Sequence, residues 1–198
     1  MNLPTFKAQI DPNPASELEV NFIGLVDKPA IERNFLAFGE VLKFAVDEEK
    51  RIISGPAMIA DLPIYRKDDK LGEYYVIFDK DSIRSIVEKF ASKGYMKNFN
   101  LFHNENAQVT DVTIFNSFIS DKTLGIYPPK GFEDVPDNSW FISVKVNNDA
   151  VWQKVKSGEI RGFSVEGMFT YVPAQMRKFT RAESVAMIQK IIEQTIED

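Results

Sequence analysis

Acid–base chemistry by an imidazole has one possible source in this chain, because His103 is the sole histidine among 198 residues and cysteine is absent. The nucleophile that such a base could activate must therefore be a hydroxyl. The segment Arg161-Gly162-Phe163-Ser164-Val165-Glu166-Gly167 sets one serine among β-forming residues, between two glycines. A serine hydroxyl becomes a useful nucleophile once a base with a pKa near neutrality removes its proton, which makes Ser164 and His103 a chemically sensible pair. The same residues also suit a plainer role, a half-buried strand serine and a structural imidazole, and composition alone does not separate the two. The glycines likewise allow either close approach of a substrate backbone or a simple bulge.

Other chemistries are excluded by the same counts. Without cysteine there are no disulfides, thiolate metal sites or cysteine nucleophiles, and one histidine rules out multi-histidine metal centres. Acidic pairs such as Asp68-Asp69 and Glu48-Glu49 lack the spacing of a calcium loop, so neither a metal nor a cofactor is expected. The net charge of −5, with both signs mixed along the chain, offers no basic stripe for nucleic acid. No apolar run reaches the length of a membrane span and Met1-Asn2-Leu3-Pro4-Thr5 has no signal-peptide character, so a soluble intracellular protein is expected.

The elements that must position the pair read mainly as strands. Apolar content of 44%, with 16 phenylalanines, suits a packed core rich in β-structure. Strands are predicted over Glu19–Val26, Leu36–Ala45, Arg51–Ile59, Tyr74–Phe78, Phe99–His103, Val109–Ile119, Trp140–Val146 and Ile160–Val172. The second and third form a hairpin about Asp47-Glu48-Glu49-Lys50, and Asn104-Glu105-Asn106 turns the chain after His103. Trp140–Val146 alternates as though one face were buried. Pro63–Leu71 reads as a loop.

Helices are predicted at Asp81–Lys93, where Ile83, Ile86, Val87 and Phe90 keep helical spacing between an aspartate cap and Gly94, and at Asp149–Ser157, stopped by Gly158. An amphipathic helix opens with the capping box Thr180-Arg181-Ala182-Glu183. Residues 1–17 read as a loosely attached arm, 18–175 as the β-domain and 176–198 as a C-terminal helix. This order lacks the βα alternation of a doubly wound sheet. The fold class expected is α+β, mainly β: a closed β-barrel or strongly curved antiparallel sheet with peripheral helices. The serine does not stand in a nucleophile elbow, since Glu166 occupies the place of the second glycine, which disfavours an α/β-hydrolase.

Gly162-Phe163-Ser164-Val165-Glu166-Gly167, following Val151-Trp152-Gln153-Lys154-Val155-Lys156-Ser157-Gly158, is similar to the signature of XkdF-type phage serine proteases. Leu25-Val26-Asp27-Lys28-Pro29-Ala30-Ile31, Ile64-Tyr65-Arg66, Tyr74-Tyr75-Val76-Ile77-Phe78 and Asn100-Leu101-Phe102-His103 occur in the order that family shows. The resemblance runs from about Leu18 to Val172. It implies a relationship to prohead proteases and to herpesvirus assemblins, whose fold is a β-barrel ringed by helices. It also implies Ser164 as nucleophile, His103 as general base and endoproteolysis of phage scaffold and major capsid proteins. The setting would be an assembling prohead in the bacterial cytoplasm, with a homodimer as a further expectation.

Assemblins orient the base with a second histidine, which this chain lacks. Glu166 is one candidate for that role, being two residues from Ser164 and so on the same strand face. Asn116 is the alternative, in Asn116-Ser117-Phe118-Ile119 where relatives tend to read Glu-Ser-Trp-Ile, and Asp111 ranks below both. A non-catalytic, protease-fold component of the phage head is the alternative function, and a small-molecule esterase a more distant one.

Overall fold

The structure is a computed structural model that describes residues 3–27 and 43–174. Among the described residues twelve strands form three four-stranded sheets, joined by two α-helices and one short 3-10 turn. The first sheet has the order β12-β1-β6-β5, from β1 (Thr5–Gln9), β5 (Ile64–Asp68), β6 (Gly72–Ile77) and β12 (Thr170–Pro173). The second, β3-β4-β10-β9, uses β3 (Ala45–Asp47), β4 (Ile52–Met58), β9 (Val112–Ile119) and β10 (Trp140–Val146). The third, β11-β2-β7-β8, uses β2 (Val20–Val26), β7 (Phe99–Leu101), β8 (Asn104–Val109) and β11 (Gly162–Gly167). Among the described residues these sheets are open, so the closed barrel expected from sequence is not found and the mainly-β, mixed architecture is.

Two long apolar runs that read as single strands each divide between sheets. Val109–Ile119 breaks at Thr110-Asp111, where Asp111 has φ +59° and its carbonyl accepts from the N–H groups of Asn147 and Asn148. The chain thereby leaves the third sheet as β8 and enters the second as β9. Ile160–Val172 breaks after Gly167, where a Cβ would lie 2.1 Å from the Glu19 carbonyl oxygen. Periodicity is blind to such breaks, because both halves remain strand.

Thr5–Gln9, expected in a loose arm, is paired on both sides, parallel to β6 and antiparallel to β12. Ile64–Asp68, expected in a loop, is an edge strand paired with β6. The β3–β4 hairpin forms about Glu48-Glu49-Lys50 as expected. Trp140–Val146 buries one face fully, as its alternation predicts, and on the other face Phe141 is buried too while Ser143 and Lys145 are half-buried. Trp140, Ile142, Val144 and Val146 enter the main core, while Phe141 packs with Ile59, Phe132 and Val135 in a second cluster. Residues 36–42 of the predicted second strand, and the predicted C-terminal helix, lie outside the described residues.

Helix α1 (Lys80–Ser92) buries Ile83, Ile86 and Phe90; Asp79 caps it by accepting from the Ser82 N–H. Helix α2 (Asp149–Lys156) is capped by Asn148 and buries Val151, Trp152 and Val155. On α1 the Lys89 ammonium is buried and donates to four carbonyl oxygens, those of Asp11, Asn13, Ser16 and Leu18, at 2.8–3.2 Å. It thus closes the turn-rich segment that leads into β2. Beside it the Glu19 carboxylate lies 3.5 Å from Lys89 and 3.1 Å from Lys93, and accepts from the Tyr95 hydroxyl at 2.7 Å.

Burial pushes the Glu19 carboxyl up, but the hydrogen bonds from Tyr95 and Lys93 outweigh it and hold the group below its usual range. Its stabilising contribution is therefore present above the unfolded carboxyl pKa and is lost as pH falls through the folded one. Lys89→Met is expected to strand the four carbonyls and weaken the charge balance at Glu19. A loss of about 3 kcal/mol in urea unfolding checks this.

Candidate active site

The third sheet builds the site through its register. Ser164 of β11 lies opposite Gly24 of β2, and Gly24 lies opposite Asn100 of β7. Directly opposed residues project to one face of a sheet, so Ser164, the hydrogen of Gly24 and Asn100 form a row across three strands. Glu166, two residues beyond Ser164, adds a carboxylate to that face. Phe163 and Val165 take the opposite face and enter the core, which fixes β11 against rotation. Ser164 is buried, at 7% exposure.

His103 reaches this row from a tight turn. Leu101 of β7 pairs with Asn104 of β8, leaving Phe102-His103 as a two-residue hairpin loop. Both have positive φ, +55° and +58°, the backbone of a type I′ turn, which favours Asn-Gly. The imidazole folds back over Gly24: a Cβ on that residue would lie 3.0 Å from Cε1 and 3.1 Å from Nδ1 of the ring. The turn therefore falls on the histidine itself and not on Asn104-Glu105-Asn106, which begins β8.

The ring is oriented by Glu166, whose Oε2 lies 3.1 Å from His103 Nδ1. The same oxygen accepts from Asn100 Nδ2 at 2.7 Å. With Nδ1 turned to a carboxylate, the Nδ1–H tautomer is favoured and Nε2 is left as the basic nitrogen, the arrangement a general base requires. The Ser164 hydroxyl makes no hydrogen bond to the ring in this structure; in unliganded sites such contacts are commonly loose and tighten with substrate.

Of the two candidates for the orienting role, the structure brings Glu166 to His103 and leaves Asn116 elsewhere. Asn116 is exposed on β9 of the second sheet, opposite Ser143 of β10. The break at Thr110-Asp111 is the physical reason, because it carries β9 onto a different sheet from the imidazole. Asp111 serves that break through its carbonyl.

Gly24 and Asn100 escaped the sequence reading. A glycine inside the strand Val20–Val26 does signal close approach of another group, and an asparagine within the apolar run Phe99–Leu101 is a polar side chain with something to bind. Neither signal names the partner. Gly24→Val is expected to displace the imidazole and lower any His103-dependent activity about 100-fold. Rates measured alongside an unchanged circular dichroism spectrum check it.

An apolar cleft lined by Met58, Ile64, Phe78, Phe163, Phe169 and Tyr171 runs along the β11 edge and touches Ser164. Neither His103, Glu166, Gly24 nor Asn100 lines it. Among the described residues no group of three His, Asp or Glu side chains is arranged to hold a metal ion, and no helix is long and apolar enough to cross a membrane.

A protein-family model described as "Putative phage serine protease XkdF" matches residues 41–172, two-thirds of the chain, and so takes in His103, Ser164 and Glu166. Comparison with curated proteins and with solved structures returns no match.

Proposed function

Since the chain belongs to the XkdF-type family of phage serine proteases, we propose that it is a serine endopeptidase in which Ser164 is the nucleophile, His103 the general base and Glu166 the group that orients the base. One observation carries this reading: the chain's sole imidazole sits over Gly24, the register partner of Ser164, with Nδ1 held by a carboxylate.

The chemistry follows from that placement. As the Ser164 oxygen attacks a peptide carbonyl, His103 Nε2 takes the hydroxyl proton and the Glu166 carboxylate stabilises the imidazolium that forms. Collapse of the tetrahedral adduct breaks the C–N bond, and the same proton passes to the leaving amine. Water, deprotonated by His103, then releases the acyl group and restores Ser164. The substrates proposed are scaffold and capsid proteins of an assembling phage head, in the host cytoplasm; the similarity of the serine segment to prohead proteases supports that setting.

The inactive reading drew its support from the amide at Asn116, where relatives show a carboxylate. A carboxylate on His103 from Glu166 weighs against it. The test is reaction with a fluorophosphonate, followed by mapping of the adduct and co-expression with the head proteins of the phage. An adduct on Ser164 together with cleavage of a head protein is expected. No adduct would leave a structural component of the head as the better reading, and an adduct with ester but no protein cleavage would point to a small-molecule hydrolase.

A further inference from the structure

Asn100 is 1% exposed, on a strand whose neighbours are apolar, and its amide is used at one end only. Nδ2 donates to Glu166 Oε2 at 2.7 Å, while Oδ1 is buried without a hydrogen-bond partner. A buried amide oxygen left unmade costs about 1–3 kcal/mol, so the side chain is not placed here for stability alone. Leucine at this position would fill a similar volume with no unsatisfied atom.

The amide also reads the charge of its neighbour. Nδ2 faces the carboxylate because an anion there accepts and cannot donate; the reversed amide would set two oxygens against each other. Oε2 thus receives two donors, Asn100 Nδ2 and the His103 ring, from two directions. One donor would leave the carboxylate free to turn about its own χ angles. Two fix its plane, and the plane fixes where Nδ1 of the ring is held.

We infer that Asn100 is a positioning residue of the Ser164–His103–Glu166 site, holding the Glu166 carboxylate in the orientation that aims His103 Nε2 at the serine. This rests on the proposed peptidase reading for its consequence in catalysis, but the hydrogen-bond relay itself is independently measurable. His103 is the only histidine, so its two ring C–H signals are assigned without ambiguity. Among the described side chains, Glu166 is the ionisable group in contact with that ring; Gly24 of β2 and Asn100 of β7 carry no charge.

The experiment compares wild type with Asn100→Leu and Asn100→Asp, reading the pH titration of the His103 ring signal and the pH dependence of fluorophosphonate labelling. Losing the amide donor leaves the carboxylate charge to the imidazolium alone, so the ring keeps its proton to higher pH. In Asn100→Asp the new carboxyl is buried against Glu166 Oε2 and stays protonated rather than ionise beside a like charge, so its O–H keeps the donor in place. The expected result is an upward shift of the titration in Asn100→Leu and a titration close to wild type in Asn100→Asp. In Asn100→Leu it is accompanied by an acid limb of labelling displaced the same way and a rate at the optimum about 10-fold lower.

A structural role alone would lower thermal stability without moving the titration, and an unmoved titration in Asn100→Leu overturns the proposal. If neither variant folds, the wild-type Asn100 side-chain amide protons decide. A resonance that titrates with Glu166 and is protected from exchange supports the relay; a freely exchanging, pH-insensitive one overturns it. A shifted titration in a protein that labels nowhere would sink the peptidase reading and leave the relay standing.

Discussion

Ser164→Ala is expected to lower peptide-bond cleavage by about 10⁶-fold, to the level that binding alone supports. The size of the effect follows from the inventory of the chain. With no cysteine and one histidine, the chain has no thiol and no second imidazole to take over the work. The fold should be untouched, because removing the hydroxyl leaves Phe163 and Val165 in the core and breaks no hydrogen bond. Cleavage of a co-expressed head protein, followed on gels with the unfolding temperature as control, gives the measurement. Cleavage at the wild-type rate by this variant would exclude Ser164 as nucleophile.

Glu166→Gln should cost about 10⁴-fold with little change in substrate affinity. The amide is the same size and can still meet Nδ1, but it presents either an N–H or a neutral oxygen where the ring needs an anion. A glutamine that donates to Nδ1 selects the Nε2–H tautomer, which cannot accept the serine proton. One that accepts restores the tautomer and loses the charge that stabilises imidazolium. A kcat that falls with KM held near its wild-type value, and a ring tautomer read from the His103 nitrogen shifts, would together separate these effects. The contrasting variant Asn116→Ala, altering an exposed residue on another sheet, should leave both kinetic constants unchanged.

What the sequence revealed about this site was its chemistry, and what it concealed was mostly where strands change sheets. Ser164 and His103 stand out because the chain has so few residues able to do their work, and Glu166 follows from the two-residue repeat of a strand. Helix α1 was legible because Asp79, the apolar spacing of Ile83, Ile86 and Phe90, and Gly94 are all local signals. Asn116 looked as good as Glu166 because the run Val109–Ile119 contains nothing that marks Thr110-Asp111 as the point of departure from the third sheet. The partners that Asp111 finds at Asn147 and Asn148 lie far along the chain.

The same limit explains the barrel. Alternation and apolar runs give strands; how each strand's edges are used depends on pairings that no local pattern encodes. β1 shows this most directly, since Thr5-Phe6-Lys7-Ala8-Gln9 has only a weak strand signature yet is held between β6 and β12. Asn100 was missed for another reason. A buried amide next to a carboxylate makes sense only once β7 and β11 are known to flank β2.

The Phe102-His103 hairpin bears on how this protein could be altered. Two L-residues in left-handed backbone each forgo about 1–2 kcal/mol relative to a sequence made for that bend. Phe102 is the half of the pair that holds no group of the proposed site, so Phe102→Asn should raise the melting temperature and leave the imidazole where it is. Putting glycine at 103 would be more stabilising still and would delete the proposed base. Selection for thermal resistance and selection for reactivity therefore pull against each other at one peptide unit, and an engineer seeking a hardier variant has room on one side of it only.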